Sequence, residues 1–297
     1  MSIQITKLDV NGSLLNRINR MKTIVTHQSP DIDAITSVWL VRRFLSGWKD
    51  ARCVFVSAGQ TLDGADPDIH PDIMHVDTGF GLYDHHQNND DTCAAEKVFK
   101  HIQKKKDLKA MDAIALERIV AVVNRYDHFK EVFLEPANDD MYDFSLANLI
   151  NGVKLKLQDD TQVVHYVETM LDGLFINFKN KINAESTIMT GFEFKSSWGR
   201  GIAFESENDE TMKLALKEGF DLVVRRSGTY KYMRIKTHPR VKKSLKSLHE
   251  KILTVDKEAL WFYHSSGRML LNGSSKAKNS IPSSLSLPSV IALIKGL

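Results

Sequence analysis

Three short β-prone runs, each followed by a polar loop, constrain the first third of this sequence more than any other feature. The runs are residues 23–26, 53–56 and 73–76, and apolar residues at helical spacing follow the first run from Ala34 to Phe44. Strands that alternate with helices predict an α/β fold with parallel pairing in this half of the chain. Ligands of such sheets bind outside the carboxyl ends of the strands, so the side chains after each run are candidate site residues.

Acidic and histidine side chains are concentrated at those strand ends. His27 ends the first run and precedes Asp31 and Asp33, whereas Asp77 ends the third run and precedes the tripeptide Asp84-His85-His86. Carboxylate oxygens and imidazole nitrogens are ligands for Mn²⁺, Mg²⁺, Fe²⁺ and Zn²⁺. Taken alone, an Asp-x-Asp pair is also common at helix starts, where Asp33 would cap the following helix. The three segments in this order favour a site for two metal ions.

Composition describes an ordinary globular protein. The residues are 42% hydrophobic and 26% charged, which is typical of a globular protein. The length of 297 residues suggests two domains. No apolar run reaches the roughly 18–20 residues of a membrane span, and the first residues have no signal-peptide core. The two cysteines, Cys53 and Cys93, are too few for a disulfide scaffold and are expected to be buried thiols. We therefore expect a cytoplasmic protein with no membrane partner.

Charge is divided unequally along the chain. Residues 1–150 hold 17 basic and 22 acidic residues, whereas residues 151–297 hold 23 and 15. Residues 225–278 alone hold 14 basic and 3 acidic residues. An acidic half can hold cations and a basic half can hold a polyanion, although two solvated faces of unlike sign would give the same counts.

The acidic segments carry the resemblance to a known family. His27-Gln28-Ser29-Pro30-Asp31-Ile32-Asp33-Ala34 resembles the first motif of the DHH phosphoesterase superfamily, Val76-Asp77-Thr78 the second, and Asp84-His85-His86 the third. Asp127 is the best match for the aspartate of the fourth motif. The close spacing of the second and third motifs, with Gln87 after them, is similar to the branch named after the melanocyte proliferating gene. The first motif is of the general superfamily type, and the C-terminal loop lacks the Gly-Gly-Gly-His of typical nuclease members.

The resemblance implies a ligand set and a reaction. One metal would be held by His27, Asp31 and Asp77, and the second by Asp33, Asp77, His85 and Asp127. The expected catalytic residues are Asp77, Asp84 and His86, with Asp84 orienting a histidine and His86 contacting the scissile phosphate. The implied cofactor is a pair of Mn²⁺ ions, with Mg²⁺ or Co²⁺ as alternatives, and an activated water is the expected nucleophile.

The second half is expected to bind the substrate. Arginine offers bidentate phosphate contacts, and lysine and backbone amides offer further donors. The candidate substrate-binding residues, some of them suggested by the resemblance, are Arg225, Arg226, Arg234, His264, Gly273 and Lys276.

These observations combine into one hypothesis. A parallel-sheet DHH domain over residues 1–185 would hold the metals, and a smaller mixed α/β domain over residues 190–297 would bind the substrate. The function would be hydrolysis of phosphodiester bonds, most simply by an exonuclease acting on short RNA or DNA oligonucleotides. Two alternatives stay open: a phosphohydrolase for cyclic dinucleotides, phosphoadenosine phosphate or pyrophosphate, and a nucleotide sensor without turnover. The oligomeric state is open, with a dimer as one alternative.

Overall fold

A computed structural model describes residues 21–105, 108–273 and 280–297. The chain divides into two compact units, Met1–Phe178 and Lys179–Leu297. Each unit contains a β-sheet and helices, so the predicted α/β class is confirmed.

The first unit is built on a three-stranded parallel sheet in the order β2-β1-β3. Strand β1 is Thr23–His27, β2 is Arg52–Val56 and β3 is Ile73–His75. Ile24 of β1 lies opposite Cys53 of β2 and Met74 of β3. Because all three strands run the same way, their carboxyl ends form one edge of the sheet, with His27 in the middle of it.

Helices of the first unit pack around a central helix, α1. In chain order, its α-helices are α1 (Ile32–Phe44), between β1 and β2, and then α2 (Ala94–Lys105), α3 (Ala110–Asp127), α4 (Leu146–Leu157) and α5 (Asp160–Met189). Short 3₁₀ helices cover Leu62–Gly64, Lys130–Phe133 and Asp140–Phe144. Every residue of α1 from Asp33 to Val41 is buried, because α2 and α3 both pack against it. Helix α4 has one apolar face, which contains buried Ile150 and the half-buried residues Leu146, Val153 and Leu157.

Helix α5 spans the division between the two units. The sequence predicted a helix over 161–185 and a strand over 188–194, and the second prediction is partly wrong. The helix continues to Met189 because Ala184 and Ile188 belong to a core cluster of the second unit, and the strand begins only at Phe192.

The second unit contains a six-stranded mixed sheet in the order β4-β5-β6-β7-β9-β8. Its strands are β4 (Phe192–Ser196), β5 (Gly199–Glu205), β6 (Leu222–Arg226), β7 (Met233–Thr237), β8 (Phe262–Tyr263) and β9 (Met269–Asn272). Helices α6 (Glu210–Lys217), α7 (Lys246–Val255) and α8 (Leu287–Lys295) complete the unit. Residues of β6, β7 and β9 share one apolar core with α7 and α8. Among the described helices, none has the length and apolar character that crossing a membrane requires.

Candidate metal centre

The loop after β1 presents His27 and Asp31 at the carboxyl edge of the sheet. Asp31 caps α1, because its Oδ1 accepts hydrogen bonds from the backbone amides of Asp33 at 2.9 Å and Ala34 at 3.0 Å. The capping role considered for Asp33 therefore belongs to Asp31. The second carboxylate oxygen of Asp31 takes no part in the cap and can accept a cation.

Asp33 caps a different helix. Its side chain is fully buried, and its two oxygens accept hydrogen bonds from the amides of Ala94 at 2.7 Å and Ala95 at 2.8 Å, in the first turn of α2. These two bonds fix the plane of the carboxylate while leaving one lone pair on each oxygen for another partner. The start of a helix thus holds a candidate ligand in place.

The segment from Asp77 to His86 folds back on itself. The amide of Asp77 donates to the carbonyl of Tyr83 at 3.0 Å. Gly79 has a φ of 81°, and a Cβ there would lie 2.8 Å from Thr61 Cγ2, so the turn requires glycine. This turn brings the Asp84-His85-His86 tripeptide back to Asp77.

Asp84 is buried and orients His86. Its Oδ1 lies 2.7 Å from His86 Nδ1 and accepts the amide of His85 at 2.7 Å, while its Oδ2 accepts the amide of Phe80 at 2.7 Å. These contacts fix the carboxylate, which holds the exposed imidazole of His86 from one side.

The six expected ligands converge on Asp77. His27 Nε2 lies 3.3 Å from Asp77 Oδ2, and His85 Nε2 lies 3.4 Å from Asp77 Oδ1. From the same His85 nitrogen, Asp127 Oδ2 is 3.6 Å away and Asp33 Oδ2 is 3.7 Å away. Three groups have ligand atoms within 4.8 Å of one another: His27, Asp31 and Asp77; Asp33, His85 and Asp127; and Asp77, His85 and His86.

This geometry fits divalent cations. Oxygen and nitrogen donors at about 2.1 Å from one cation are roughly 3 Å apart when they bind at right angles. The separations of 3.3–3.7 Å are close to that value and long for ion-pair hydrogen bonds. Asp77 Oδ1 and His85 Nε2 are both buried without a hydrogen-bond partner among the described residues. Buried polar atoms that point at one another across such a space are the expected lining of a cation site.

Electrostatics within the cluster agree with this interpretation. Burial lowers the pKa of His27, but the hydrogen bond to Asp77 and the nearby carboxylates outweigh burial and raise it to about 9. The contact with Asp77 likewise raises the pKa of His85 to about 9. Burial raises the pKa of Asp33 well above its usual value, and the charges of Asp77 and Asp127 raise it further. Burial also raises the pKa of Asp127. The metal-free cluster therefore retains protons that cations would replace.

Backbone strain is concentrated in the same loops. Of the seven non-glycine residues with positive φ in the described ranges, four lie beside the cluster: Ser29, Asp77, Phe80 and Phe129. Such conformations are uncommon outside glycine, asparagine and aspartate, and they are often found at functional sites.

The arginines predicted to bind phosphate have carboxylate partners in the second unit. Arg225 and Arg234 lie opposite each other on β6 and β7, and both donate to Asp209 Oδ1, at 2.6 Å and 2.7 Å. Arg226 pairs with Glu205 at 2.8 Å. The basic stretch is thus partly neutralised by acidic residues that precede it in the sequence.

The other predicted substrate residues lie apart. Gly273 follows β9 at the end nearest the Arg226–Met233 pair, with a φ of 79°. His264 lies in the turn at the opposite end of β9, where its Nδ1 is 2.8 Å from Ser266 Oγ. The structure does not bring His264 to the arginines, and Lys276 lies outside the described residues.

Several contacts of the centre had no local signal in the sequence. Asp160, at the start of α5, accepts the amide of Ser29 at 2.9 Å, and Lys154 Nζ donates to the carbonyl of Ser29 at 3.1 Å. Lys97 donates to the carbonyl of Asp84, and His128 Nδ1 lies 3.4 Å from Asp127 Oδ2. Lys154 and Asp160 are separated from Ser29 by more than 120 residues, so only folding reveals the contact; His128 could have been found from its position beside Asp127.

Comparison with solved structures gives matches of low similarity. An exonuclease RecJ bound to manganese is 11% identical, with a TM-score of 0.30, and the match covers 99% of this chain and 96% of that one. RecJ from Thermus thermophilus in complex with Mg²⁺ is 12% identical, with a TM-score of 0.30 and coverage of 99% and 53%. An exopolyphosphatase-related protein from Bacteroides fragilis is 12% identical, with a TM-score of 0.24 and coverage of 98% and 97%. No curated protein matches the chain.

A family model gives a match over more than half of the sequence. The model described as ChrB, C-terminal domain, matches residues 24–178. That range begins inside β1, contains all six expected metal ligands and ends at Phe178, the last residue of the first unit. The chain therefore belongs to the ChrB C-terminal domain family.

Proposed function

We propose that this protein is a metal-dependent phosphoesterase that hydrolyses phosphodiester bonds in short RNA or DNA oligonucleotides from one end. The observation that carries the proposal is the convergence of His27, Asp31, Asp33, Asp77, His85 and Asp127 into ligand groups that are linked through Asp77 and His85. The order of these residues in motifs of DHH type supports the same reaction class.

The donor set supports a pair of hard or borderline cations, with Mn²⁺ as the proposed metal. His27, Asp31 and Asp77 would hold one ion, and Asp33, Asp77, His85 and Asp127 the other. Such a pair supplies Lewis acidity at a phosphoryl group and makes a hydroxide nucleophile accessible near neutral pH.

The chain's own residues provide orientation. Asp84 holds His86 through Nδ1, which leaves Nε2 as the group that would contact a phosphate oxygen. The two amides at the start of α2 hold Asp33 in place, and the Asp31 cap holds the loop after β1. Together these contacts position the ligands before substrate arrives, which lowers the cost of reaching the reactive arrangement.

An oligonucleotide substrate is supported by the charge of the second half, where 23 basic residues stand against 15 acidic ones. Surface charge of this sign attracts polyanions more strongly than it attracts small neutral ligands.

The test is Mn²⁺-dependent cleavage of end-labelled RNA and DNA oligomers of a few nucleotides. Asp77→Asn removes a charge from both proposed metal positions, so we expect hydrolysis to fall by at least about 10³-fold, on the order of several kcal/mol of transition-state stabilisation. Asp72→Asn is the matched control, because the side chain of Asp72 is exposed and pairs with Lys22 at 3.8 Å, away from the proposed ligands. Its activity should equal that of the wild type.

The outcomes separate the open alternatives. Release of mononucleotides that is lost in Asp77→Asn supports the exonuclease proposal and gives its polarity. Bound metal without cleavage of any oligomer would refute the oligonucleotide assignment. Cyclic dinucleotides, phosphoadenosine phosphate and pyrophosphate would then be assayed as substrates, and binding without turnover of all of them would indicate a sensor.

A further inference from the structure

Two phenylalanines beside the metal centre combine exposure with an uncommon backbone conformation. Phe80 is 57% exposed with a φ of 55°, and Phe129 is 66% exposed with a φ of 51°. A bulky side chain at positive φ is an outlier that glycine or asparagine would relieve. Neither ring is compensated by burial in the core.

Phe80 lies on the carboxyl edge of the first sheet. Its ring is 3.3 Å from the position that a Cβ on Gly59 would occupy, in the loop after β2. Its amide donates to Asp84 Oδ2 at 2.7 Å, and Asp84 also holds His86. The ring therefore contacts the loop after β2 and leaves more than half of its surface open to solvent, while the backbone of Phe80 is bound to Asp84 of the DHH tripeptide.

Phe129 stands at the end of α3, two residues after Asp127. Its left-handed conformation ends the helix, at a position where glycine or asparagine is usual. Its amide donates to the carbonyl of Tyr126 at 3.0 Å, and the preceding His128 contacts Asp127. Glycine or asparagine would end the helix here with less strain, so helix termination does not account for a phenylalanine.

Other exposed aromatic side chains in the first unit do not share this combination. Phe133 is 81% exposed and Phe144 is 90% exposed, but neither is among the residues with positive φ. In the described part of the chain, Phe80 and Phe129 are the aromatic residues that combine strain, exposure and a place within three residues of a proposed ligand.

We propose that Phe80 and Phe129, here called the aromatic subsite, each offer a face on which a flat ring attached to a phosphate group of the substrate stacks, as in a nucleotide. The inference rests on the proposed function for the location of that phosphate. Stacking is indifferent to base identity because every base has a π-face. A phosphate without a ring gains nothing from these side chains, so the subsite selects nucleotide phosphoesters over pyrophosphate or polyphosphate.

The test measures binding of a dinucleotide that contains 2-aminopurine, whose fluorescence is quenched on stacking, to the full-length protein in Ca²⁺ and in a chelator. Phe80→Leu and Phe129→Leu keep the apolar character and the backbone strain but remove the ring. We expect each to weaken binding by about fivefold or more, from roughly 1–3 kcal/mol per stacked base. Phe133→Leu is the matched control and should bind as the wild type does. Mn²⁺ binding should be equal in all four proteins.

A second pair of variants distinguishes strain from folding. Asparagine tolerates positive φ, so Phe80→Asn and Phe129→Asn should melt at or above the wild-type temperature while dinucleotide binding is weakened. Unchanged dinucleotide binding in the leucine and asparagine variants, or no binding by the wild type, would overturn the subsite.

Hydrolysis separates this inference from the proposed function. Oligomer cleavage with the same KM in the variants and the wild type would overturn the subsite and leave the proposed function intact. Ring-dependent binding without any cleavage would support the subsite and refute the proposed reaction.

Discussion

At the scale of single residues, the cluster around Asp77 stores repulsion when no cation is bound. Asp33, Asp77 and Asp127 are close together with His85 between them, and burial raises the pKa of Asp33 and Asp127. Burial raises the pKa of Asp77 as well, but the contacts with His27 and His85 outweigh burial and lower that pKa to about 2. In the metal-free protein, the protons on His27 and His85 thus supply the positive charge that a bound cation would supply.

The raised pKa values predict how metal binding depends on pH. His27 and His85 have pKa values of about 9 in the folded metal-free protein, against 6.5 for the free side chain. At pH 7 both are protonated, so binding of Mn²⁺ must release about two protons, and its apparent affinity should rise as pH approaches 9. Calorimetric titration in buffers of different ionisation enthalpy counts these protons.

The same shifts set the sign of the stability change. A histidine whose pKa is raised on folding stabilises the folded state fully below pH 6.5, and this contribution is lost as pH rises through about 9. The metal-free protein should therefore lose stability between pH 6.5 and 9 in urea unfolding, and His85→Gln should reduce that loss. In the calorimetric titration of Mn²⁺ binding, proton release near zero at pH 7 would contradict the raised pKa values of His27 and His85.

At the scale of secondary-structure elements, the ends of helices hold the centre together. The start of α1 is capped by Asp31, the start of α2 is held by Asp33, and α3 ends at Asp127. The start of α5 fixes the loop after β1 through Asp160 and Ser29, which has a φ of 53°. Asp31, Asp33 and Asp127 are thereby tied to helices that the core keeps in place.

Two adjacent aspartates allow that last contact to be tested. Asp160→Ala removes the acceptor of the Ser29 amide, so we expect the Mn²⁺ affinity of the His27–Asp31 position to fall by roughly 10-fold, as for other residues that orient ligands. The Mn²⁺ affinity is measured from the electron paramagnetic resonance signal of free Mn²⁺.

Asp159→Ala is the control for that variant. Asp159 accepts the amide of Gln162 at 3.0 Å at the start of α5, whereas the amide of Ser29 is bound by Asp160. The Asp159 variant should lower the melting temperature and leave Mn²⁺ affinity unchanged. Equal affinity in the Asp160→Ala protein would refute the positioning role.

Helices were predictable where apolar residues recur at helical spacing, and less so where packing against other elements decides a boundary. Helices α2 and α3 have regular apolar faces. Their apolar spacing predicts helices over 93–104 and 111–125, and the observed bounds differ from these by one or two residues. Helix α4 also has an apolar face, on which Leu146, Val153 and Leu157 are half-buried and Ile150 is buried, but no helix was predicted there. The end of α5 is decided by packing of Ala184 and Ile188 in the second unit, which overrides local strand preference.

At the scale of the whole molecule, the chain consists of two compact units. The expected ligands all lie in Met1–Phe178, and the paired arginines lie in Lys179–Leu297. A ligand that binds only one unit should stabilise that unit alone.

Scanning calorimetry of the full chain tests this division. Saturating Mn²⁺ should raise the transition of the first unit only. Asp209→Asn should lower the transition of the second unit by a few degrees, because the buried Arg225 loses its carboxylate partner. One transition shifted equally by both changes would show that the two units unfold together.

The sequence by itself determined the α/β class and the candidate ligands. Both are local: β-prone runs alternate with helical periods, and carboxylates and histidines stand directly after strands. Parallel pairing then brings strand ends together, so position along the chain translates into position in space.

Only the tertiary structure decided which charged side chains form ion pairs. Asp209 and Glu205 precede the basic stretch in sequence, yet strand pairing sets them against Arg225, Arg234 and Arg226. Asp160 likewise reaches Ser29 across 131 positions. Contacts of this kind depend on which elements pack together, so composition or spacing within a segment does not predict them.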